Sequence, residues 1–418
     1  MEDYLKRIVE KTIEKKLASS EVVVLAGPKF CGKTTTALRY AKSTVRLNTS
    51  TAITIAAMNP SAVIEGEKPR VIDEWQTVPE LWDELRAYVD ENPGFGQFLL
   101  TGSATPEDKS KIFHSGAGRI VKLIMRSMSL YESKESKGLV SIESLFNDES
   151  QFYDLNKEIT LDKVAYWVCR GGWPMAVTAP KEVALEVTKN YYSGLFNFEY
   201  SDNEKFRNKK PDIMKMVLQS YARNISTEAS IQTIRGDVIS KNNRTMDTKT
   251  IDDYIEALED LFIIEDIDAW CPKLRSKTVV RSTPTRHFVD TSIATSALGI
   301  TPADLMNDLE SFGLFFEDMA IRDLKVYSDS VNGVVRHYRD SSGLECDAVI
   351  HLENGRWGAI EIKLGGEKLV EEGAKNLHNL YEQVEGEKPS FLMVLTAVGP
   401  AYRRSDGVYV VPLNCLKE

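Results

Sequence analysis

The chain has 418 residues, which at ~100–200 residues per domain is enough for two to four domains. Hydrophobic residues make up 42% and charged residues 27%, and this balance excludes an intrinsically disordered chain. The formal net charge of -10 argues against a protein whose whole surface binds nucleic acid, but it is compatible with a local basic patch.

Cysteine usage and hydropathy indicate a cytoplasmic protein. The five cysteines are scattered and form no CxxC pair, which argues against a zinc site or a disulfide framework and favours a reducing compartment. The first residues, MEDYLKRIVEKTIEKKL, are amphipathic and lack the apolar core of a signal peptide. The longest apolar runs are far below the ~18 residues needed to cross a membrane, so we expect no membrane span.

The first part of the chain alternates apolar strands with helical stretches, which is typical of a parallel α/β sheet. A buried strand at Val22–Ala26 is followed at once by glycines. The other predicted elements are a helix over residues 4–17, a helix over Thr34–Lys42, an apolar run at Ala52–Ala57, a short strand at Val71-Ile72 and a strand over Gln97–Thr101.

The pattern changes after about residue 150. Residues 155–200 have helical spacing that is interrupted at Gly171–Pro174. Residues 211–290 predict three helices and then two short strands, Leu261–Trp270 and Thr278–Val289, an order that suggests a winged helix. Residues 310–418 predict a helix followed by strands, as in a separate α/β unit.

The segment Gly27–Thr34 fits the phosphate-binding motif GxxxxGK[ST], and it lies between a predicted strand and a predicted helix as that motif requires. Glycines let several backbone N–H groups point at one phosphate, and the helix N-terminus adds partial positive charge. We therefore predict that Lys33 bridges the β- and γ-phosphates of ATP and that the Thr34 hydroxyl binds Mg²⁺. The predicted nucleotide contacts are Gly27, Pro28, Lys29, Phe30, Cys31, Gly32, Lys33, Thr34 and Thr35.

Acidic and hydroxyl side chains follow the next two strands. Asp73 is expected to support the magnesium ion and Glu74 to polarise the attacking water, although a solvated acidic turn is the alternative. Ser103 ends the following strand in Thr101-Gly102-Ser103. It is predicted either to contact the γ-phosphate or the water, or only to cap a helix.

The motifs GPKFCGKTTTA, VIDEWQTVPELWDELR, FLLTGSA and HSGAGRI resemble a widespread prokaryotic AAA-type ATPase family with a C-terminal domain of restriction-endonuclease-like fold. The resemblance covers nearly the whole chain. It implies that Arg119 completes the ATP site in cis, or in trans as an arginine finger of a homo-oligomer; a surface arginine is the alternative. Gly172-Trp173-Pro174 is similar to an element that touches adenine in related signalling ATPases, but an ordinary turn fits equally well.

The middle of the chain is locally basic. Between Lys205 and Lys249 there are ten Lys/Arg and four Asp/Glu residues, so contact with DNA or RNA is a natural hypothesis. The candidate recognition helix, Thr248–Leu261, is acidic, however, and phosphates would repel it. Base reading, non-specific backbone contact and a packing role therefore all stay open.

The C-terminal carboxylates resemble the core of a PD-(D/E)xK nuclease. Glu317 in a predicted helix opening at Phe316-Glu317, then Asp347, then Glu361-Ile362-Lys363 follow the order of that motif. The resemblance implies that Glu317, Asp347 and Glu361 bind magnesium and that Lys363 positions or helps to deprotonate the attacking water. The alternative is an inactive fold that retains these side chains.

Turn geometry predicts how the two strands that carry these carboxylates pair. A two-residue loop at Asn354-Gly355 would place Asp347 opposite Ile362. A three-residue loop, 353–355, with Gly355 in the left-handed conformation places Asp347 opposite Glu361 instead. Only the second register separates an apolar face from a face with the charged groups, so burial favours it.

These observations predict an α/β protein with a P-loop (AAA-type) parallel sheet and a C-terminal restriction-endonuclease-like domain. The expected division is an ATPase core over 1–150, a helical lid over 151–205, a winged-helix-like domain over 206–295 and a nuclease-like domain over 296–418. Two functions compete: an ATPase coupled to a nuclease, and an ATP-driven switch or scaffold whose inactive C-terminal domain binds protein or nucleic acid. Asp73-Glu74 disfavours a third, a P-loop kinase.

Overall fold

The computed structural model describes residues 4–103, 118–148, 152–155, 158–197, 209–242, 246–272 and 283–418. Within these ranges the chain forms an N-terminal parallel sheet, a helical middle part and a C-terminal mixed sheet. None of the described helices is both long and apolar enough to span a bilayer.

The N-terminal strands form a sheet in the order β2-β3-β4-β1-β5, and every pairing within it is parallel. The strands are β1 (Val22–Ala26), β2 (Ser43–Arg46), β3 (Arg70–Asp73), β4 (Phe98–Gly102) and β5 (Ile120–Ile124). The helices are α1 (Val9–Leu17), α2 (Lys33–Ala37), α3 (Ser50–Met58), α4 (Pro60–Ile64) and α5 (Leu81–Glu91), with a 3-10 turn at Trp75–Thr77. β1 and β4 are buried along their whole length, which explains their unbroken apolar sequences.

Parallel register brings the predicted motifs to one edge of this sheet. Ala26, just before the phosphate loop, pairs with Gly102, and Asp73 pairs with Thr101. One local prediction was inaccurate, because the α-helix after the loop ends at Ala37 and not at Lys42. The apolar run at Ala52–Ala57 lies in α3, whose N-terminus is capped by the Thr49 side chain.

The middle part is helical, and its break at Gly171–Trp173 is the predicted one. Its elements are β6 (Val140–Ser141), α6 (Ile142–Phe146), α7 (Leu161–Arg170), α8 (Pro174–Thr178), α9 (Lys181–Asn197), α10 (Pro211–Arg223), α11 (Ile231–Asn242) and α12 (Thr248–Asp260). The two predicted strands that follow appear as antiparallel bridges, Ile264 with Phe288 and Ile267 with Thr285, and residues 273–282 lie outside the described ranges.

The C-terminal sheet has the order β11-β12-β10-β9-β8-β7. Its strands are β7 (Gly333–Arg339), β8 (Glu345–Leu352), β9 (Trp357–Lys363), β10 (Phe391–Thr396), β11 (Tyr402–Arg403) and β12 (Tyr409–Pro412), and the last strand of the chain is β13 (Leu416–Lys417). The helices are α13 (Thr291–Leu298), α14 (Pro302–Asn307), α15 (Leu309–Asp329) and α16 (Glu367–Gln383), with a 3-10 turn at Leu413–Cys415. Glu317 lies in the middle of α15 and not at its start, because Asp308 caps the helix much earlier.

The three-residue hairpin loop is confirmed. The N–H of Leu352 donates to the carbonyl of Arg356 at 2.8 Å, and Gly355 has φ 88°. The pairing of β8 with β9 runs from His351 with Trp357 to Ala348 with Ile360, so the predicted pair of Asp347 with Glu361 is not among the observed pairs. Asp347 lies beside a shift in the β7–β8 register, and its carboxylate accepts from the N–H of Ile362. The second face is less polar than predicted, because α16 packs on it and buries apolar side chains there as well.

A segment that follows β5, residues 125–137, joins the two α/β parts, and we call it the hub segment. Arg126 forms ion pairs of 2.6 Å with Glu265 and of 2.6 Å with Asp329 at the end of α15. Further along, the Ser136 hydroxyl donates to the carbonyl of Leu416 at 2.6 Å.

The C-terminal strand returns to the N-terminal half of the chain. Immediately after the hub segment, β6 pairs in parallel with β13. Residues 140–141, which lie just before the predicted boundary at residue 150, therefore pair with residues 416–417 near the C-terminus.

Replacing Leu416 by alanine tests how much the pairing of β6 with β13 stabilises the protein. Leu416 is fully buried, so Leu416→Ala is expected to lower the free energy of unfolding by about 2–5 kcal/mol in urea denaturation. Leu309→Ala is the matched control, because Leu309 is half exposed, and we expect a change within about 0.5 kcal/mol. Equal effects of the two substitutions would contradict a stabilising role of this pairing.

The Arg126–Glu265 pair predicts a pH dependence of stability. Burial alone would raise the pKa of Glu265, but Arg126 and Lys325 outweigh it and hold the pKa at about 2, below the ordinary 4.5. Because the folded-state pKa is lowered, the stabilisation is complete above about pH 4.5 and is lost as the pH falls towards 2.

Glu265→Gln should therefore destabilise the protein by about 1.5–3 kcal/mol at pH 7. The difference from the wild type should shrink between pH 4.5 and 2, as measured by urea unfolding at a series of pH values. Glu310→Gln, at an exposed position, is the control. A Glu265→Gln effect of constant size at every pH would refute the assignment.

Candidate functional site

Glycine is required at the start of the phosphate loop. Gly27 has φ 151°, and a Cβ atom there would lie 2.1 Å from the carbonyl oxygen of Met125 in the hub segment. Gly32 has φ 103° directly before α2. Phe30 also adopts a left-handed conformation, with φ 63°, although it is not a glycine, and its side chain is 67% exposed. The loop is thus held in backbone conformations that most residues avoid, as is common at functional sites.

Lys33 lies on the inner side of this loop. Its side chain is buried, and its Nζ donates to the carbonyls of Gly27 at 2.9 Å and Pro28 at 2.7 Å. The ammonium group therefore lies in the concavity of the loop, which is where the motif places phosphate oxygens.

Arg7 supports the loop from the N-terminal segment, a role that the sequence interpretation missed. Its guanidinium donates to the carbonyl of Cys31 at 2.7 Å and to that of Arg126 at 2.8 Å, and it pairs with Glu132 at 3.0 Å. Residues 4–17 were interpreted only as an amphipathic helix, and that pattern contains no signal for a buried arginine.

The acidic pair meets the hydroxyl groups expected beside it. Asp73 Oδ1 accepts hydrogen bonds from Thr34 Oγ1, at 2.7 Å, and from Thr101 Oγ1. Glu74 Oε2 accepts from Ser103 Oγ at 3.0 Å and from Gln76 at 2.6 Å.

The backbone of Glu74 has a left-handed φ of 59°, which is uncommon for a residue other than glycine. Its carboxylate is held by the hydrogen bonds from Ser103 and Gln76. Gln76, like Thr101, was not among the predicted site residues. Its position two residues after Glu74 was the available signal.

The donor types of Thr34 and Asp73 suit magnesium, which prefers hydroxyl, carboxylate, water and phosphate oxygens. No three acidic, histidine or cysteine side chains among the described residues are arranged to hold a metal ion. That finding is compatible with a P-loop site, because there one or two protein oxygens share the ion with the substrate phosphates. Thr34 and Asp73 would hold Mg²⁺ here.

A cavity of about 380 Å³ lies beside α2. Tyr4, Met128, Pro174 and Met175 contribute to its mostly apolar wall. Pro174 Cγ would lie 3.6 Å from a Cβ atom on Gly32, so the predicted Gly172–Pro174 element does reach the phosphate loop. A concave, mostly apolar pocket of this size suits a planar base.

Arg119 does not complete the site of its own chain, and the predicted role in cis is corrected. It directly precedes β5 and accepts through its carbonyl from the N–H of Val22, at the amino edge of the sheet. The phosphate loop follows the carboxyl end of β1, about 16 Å away at ~3.3 Å per strand residue. The guanidinium pairs with the exposed Asp90 at 2.9 Å, which raises the pKa of Arg119. The preceding residues 104–117 lie outside the described ranges.

The predicted C-terminal residues come together at one end of the β8–β9 hairpin. Lys363 Nζ lies 2.7 Å from Glu361 Oε2 and 3.1 Å from Asp347 Oδ2. Asp347 also accepts from the N–H of Ile362 at 2.7 Å. Asn376 of α16 donates to Glu361 Oε1 at 2.8 Å, a contact for which the sequence contains no signal.

The charges in this cluster are strongly coupled. Burial, followed by the Asp347 carboxylate, raises the pKa of Glu361 to about 8. Burial and the same carboxylate raise the pKa of Glu317 well above its ordinary value. Burial would lower the pKa of Lys363, but Asp347 and Glu361 raise it. Glu317 of α15 therefore belongs electrostatically to the same group.

Carboxylates are suitable ligands for a divalent cation, but this arrangement does not fit one as it stands. Lys363 bridges Asp347 and Glu361, and among the described residues no three carboxylates converge on a common point. The Lys363 ammonium thus supplies the positive charge between Asp347 and Glu361, in the place that a metal ion would take.

Two basic side chains of the middle part contact acidic residues or carbonyls of neighbouring helices. Lys209 donates to the carbonyl of Asp253, and Arg223 pairs with Asp237 at 2.7 Å. Lys205, Arg207 and Arg244 lie outside the described ranges. These contacts favour the packing role over base reading at the described positions.

Comparison with known families assigns the N-terminal part. A model described as an AAA domain matches residues 19–134, which include the phosphate loop, Asp73, Glu74 and Ser103. This part of the chain is therefore similar to an AAA domain. Models described as domains of unknown function, DUF8612 and DUF4143, match residues 161–304 and 312–416.

The proteins that match most of this chain are only distant relatives. An uncharacterised protein of Mycobacterium tuberculosis is 22% identical over 355 residues, covering 84% of this chain and 72% of that protein, and one of Mycobacterium bovis gives the same values. Among solved structures, the Aeropyrum pernix ORC1 protein in complex with DNA is 12% identical with a TM-score of 0.23, covering 72% of this chain and 94% of that chain. A TM-score this low does not indicate a shared fold.

Proposed function

We propose that the protein binds and hydrolyses ATP with magnesium at the phosphate loop and acts as an ATP-driven switch for its C-terminal part. The observation that carries the proposal is the meeting of Thr34, Asp73 and Thr101 beside the loop that Lys33 lines. These groups come from α2, β3 and β4, so only the parallel sheet brings them together.

Each side chain has a separate role in this proposal. Lys33 exchanges its hydrogen bonds to the loop carbonyls for bonds to phosphate oxygens. Glu74, oriented by Ser103 and Gln76, accepts a hydrogen bond from the attacking water and then takes its proton. Thr34 and Asp73 would hold magnesium, which would supply positive charge beside the phosphates. Arg119, at the exposed amino edge of the sheet, serves a neighbouring subunit's site in a homo-oligomer.

Two substitutions separate binding from hydrolysis. Lys33→Ala should abolish ATP binding in calorimetry, because the loop then lacks its phosphate-binding cation. Glu74→Gln should retain ATP binding but lower the turnover number in a phosphate-release assay by about 10²–10⁴-fold. The glutamine amide cannot accept a proton from the attacking water as the Glu74 carboxylate does.

Glu91→Gln, exposed at the end of α5, is the control and should turn over ATP like the wild type. If Lys33→Ala binds ATP normally, or if Glu74→Gln hydrolyses it normally, the proposed site is wrong.

A second candidate is cleavage of DNA or RNA by the C-terminal cluster. The convergence of Asp347, Glu361 and Lys363, as the nuclease motif requires, favours it. The bridging position of Lys363 favours the competing function, in which this domain only binds protein or nucleic acid.

A cleavage assay decides between them. Plasmid and single-stranded substrates are incubated with the full chain and either magnesium or manganese. If the cluster is catalytic, Glu361→Ala and Lys363→Ala should each abolish cleavage, whereas Glu367→Ala, exposed at the start of α16, should not. Absence of cleavage by the wild type, or cleavage that survives both substitutions, leaves the binding function.

A further inference from the structure

The loop between α7 and α8, residues 171–174, forms part of the wall of the cavity beside the phosphate loop, and we call it the base loop. Its Pro174 lines the cavity, and so does Met128 of the hub segment. The N–H of Met128 donates to the carbonyl of Gly172 at 2.7 Å, so these two walls are joined through the backbone. A ligand in the cavity would therefore contact two segments that are hydrogen-bonded to each other.

A single carboxylate, Asp290, lies beneath the base loop. It is fully buried at the N-cap of α13, and its Oδ2 accepts from the N–H of Gly172 at 2.8 Å and from Ser127 Oγ at 2.6 Å. Gly171 has φ 71°, and a Cβ atom there would lie 2.2 Å from Asp290 Oδ1. The loop is therefore packed directly against this carboxylate, with no space for a larger residue.

Asp290 also accepts from helix α15. Arg322 of that helix donates from its NH1 to Asp290 Oδ2 at 3.1 Å and pairs through its NH2 with Asp323 at 2.7 Å. All three side chains are buried. Burial alone would raise the pKa of Asp290, but Arg322 and Ser127 outweigh it and lower the pKa. The group is thus an ionised carboxylate with donors from three parts of the chain.

Helix α15 carries Glu317 five residues before Arg322. At ~1.5 Å per helical residue the two are separated by about 7.5 Å along the axis. The helix therefore connects Asp290 at one point with the C-terminal carboxylate cluster at another. Arg322 is shared by Asp290 and Asp323, so a displacement of Asp290 changes the charge balance around an arginine that is buried in α15.

We propose that Asp290 is a positioning residue that holds the base loop at the nucleotide pocket and, through Arg322, couples nucleotide binding to helix α15 and the Glu317 cluster. This inference rests on the proposed ATP site. Binding of the base against Pro174 and Met128 favours one arrangement of Gly172, Ser127 and Arg322 around the carboxylate. Because coupling of binding sites is reciprocal, the state of α15 also alters ATP affinity.

The first measurement is ATP affinity by calorimetry on the full chain. Asp290→Asn should weaken ATP binding by about 5- to 150-fold, the usual range for coupled sites. Asp318→Asn is the matched control: Asp318 is equally buried and lies on the same helix, but it accepts from the N–H of Phe288 and from Thr291 Oγ1, and neither Arg322 nor the base loop is among its hydrogen-bond partners. Its effect on affinity should lie below that range. Circular dichroism and melting curves report whether each variant folds.

The second measurement is hydrogen exchange in peptides from α15, with ATP at concentrations that saturate each variant. ATP should slow exchange in α15 of the wild type and of Asp318→Asn. It should leave α15 unchanged in Asp290→Asn and in Arg322→Lys, which keeps the charge but changes the donor geometry. A merely structural role for Asp290 would lower the melting temperature without removing this response to ATP.

The outcomes distinguish the two proposals. If the wild type binds no ATP, the proposed function fails and the coupling fails with it. If the wild type binds ATP but Asp290→Asn and Arg322→Lys match it in affinity and in α15 exchange, only the coupling is refuted. Should Asp290→Asn not fold, Arg322→Lys decides by the same two measurements.

Discussion

The contact between Gly27 and Met125 is the constraint on which the nucleotide site depends. The hub segment passes so close to the phosphate loop that no side chain fits at Gly27, and the Cys31 thiol donates to the same Met125 carbonyl at 3.2 Å. Arg7 adds a third link, since it binds both Cys31 and Arg126. The loop conformation is thus imposed by the chain that leaves β5 and not only by its own glycines.

The same segment carries buried charge to the rest of the molecule. Arg126 pairs with Glu265 and Asp329, and the N–H of Leu130 donates to Asp323 at 2.9 Å. Arg126 is buried although both of its partners are partly exposed, so losing a partner would leave a buried charge poorly compensated. A displacement at the nucleotide pocket is therefore expected to be transmitted as movement of whole elements, because these contacts leave little room for local adjustment.

In the C-terminal cluster the order of the residues in the sequence does not determine how their charges are paired in the fold. Asp347, Glu361 and Lys363 occur in the order of a nuclease motif and are brought together by the hairpin register. In the folded protein the lysine compensates both acids, and Asn376 of helix α16 donates to Glu361. Whether such a group cleaves or only binds depends on how readily the lysine can be displaced, which is a property of the surrounding packing.

The sequence alone determined the features that depend on neighbouring residues. These are the strand–loop–helix around Gly27–Thr34, the break at Gly171–Pro174 and the three-residue hairpin loop, because glycine conformation, proline geometry and alternating burial act over a few positions. Tertiary structure alone decided the position of Arg119 at the far edge of the sheet, the support of the loop by Arg7 and the burial of Asp290 beneath the base loop. These contacts join residues that are far apart in the chain, and a buried polar side chain has no local pattern that distinguishes it from an exposed one.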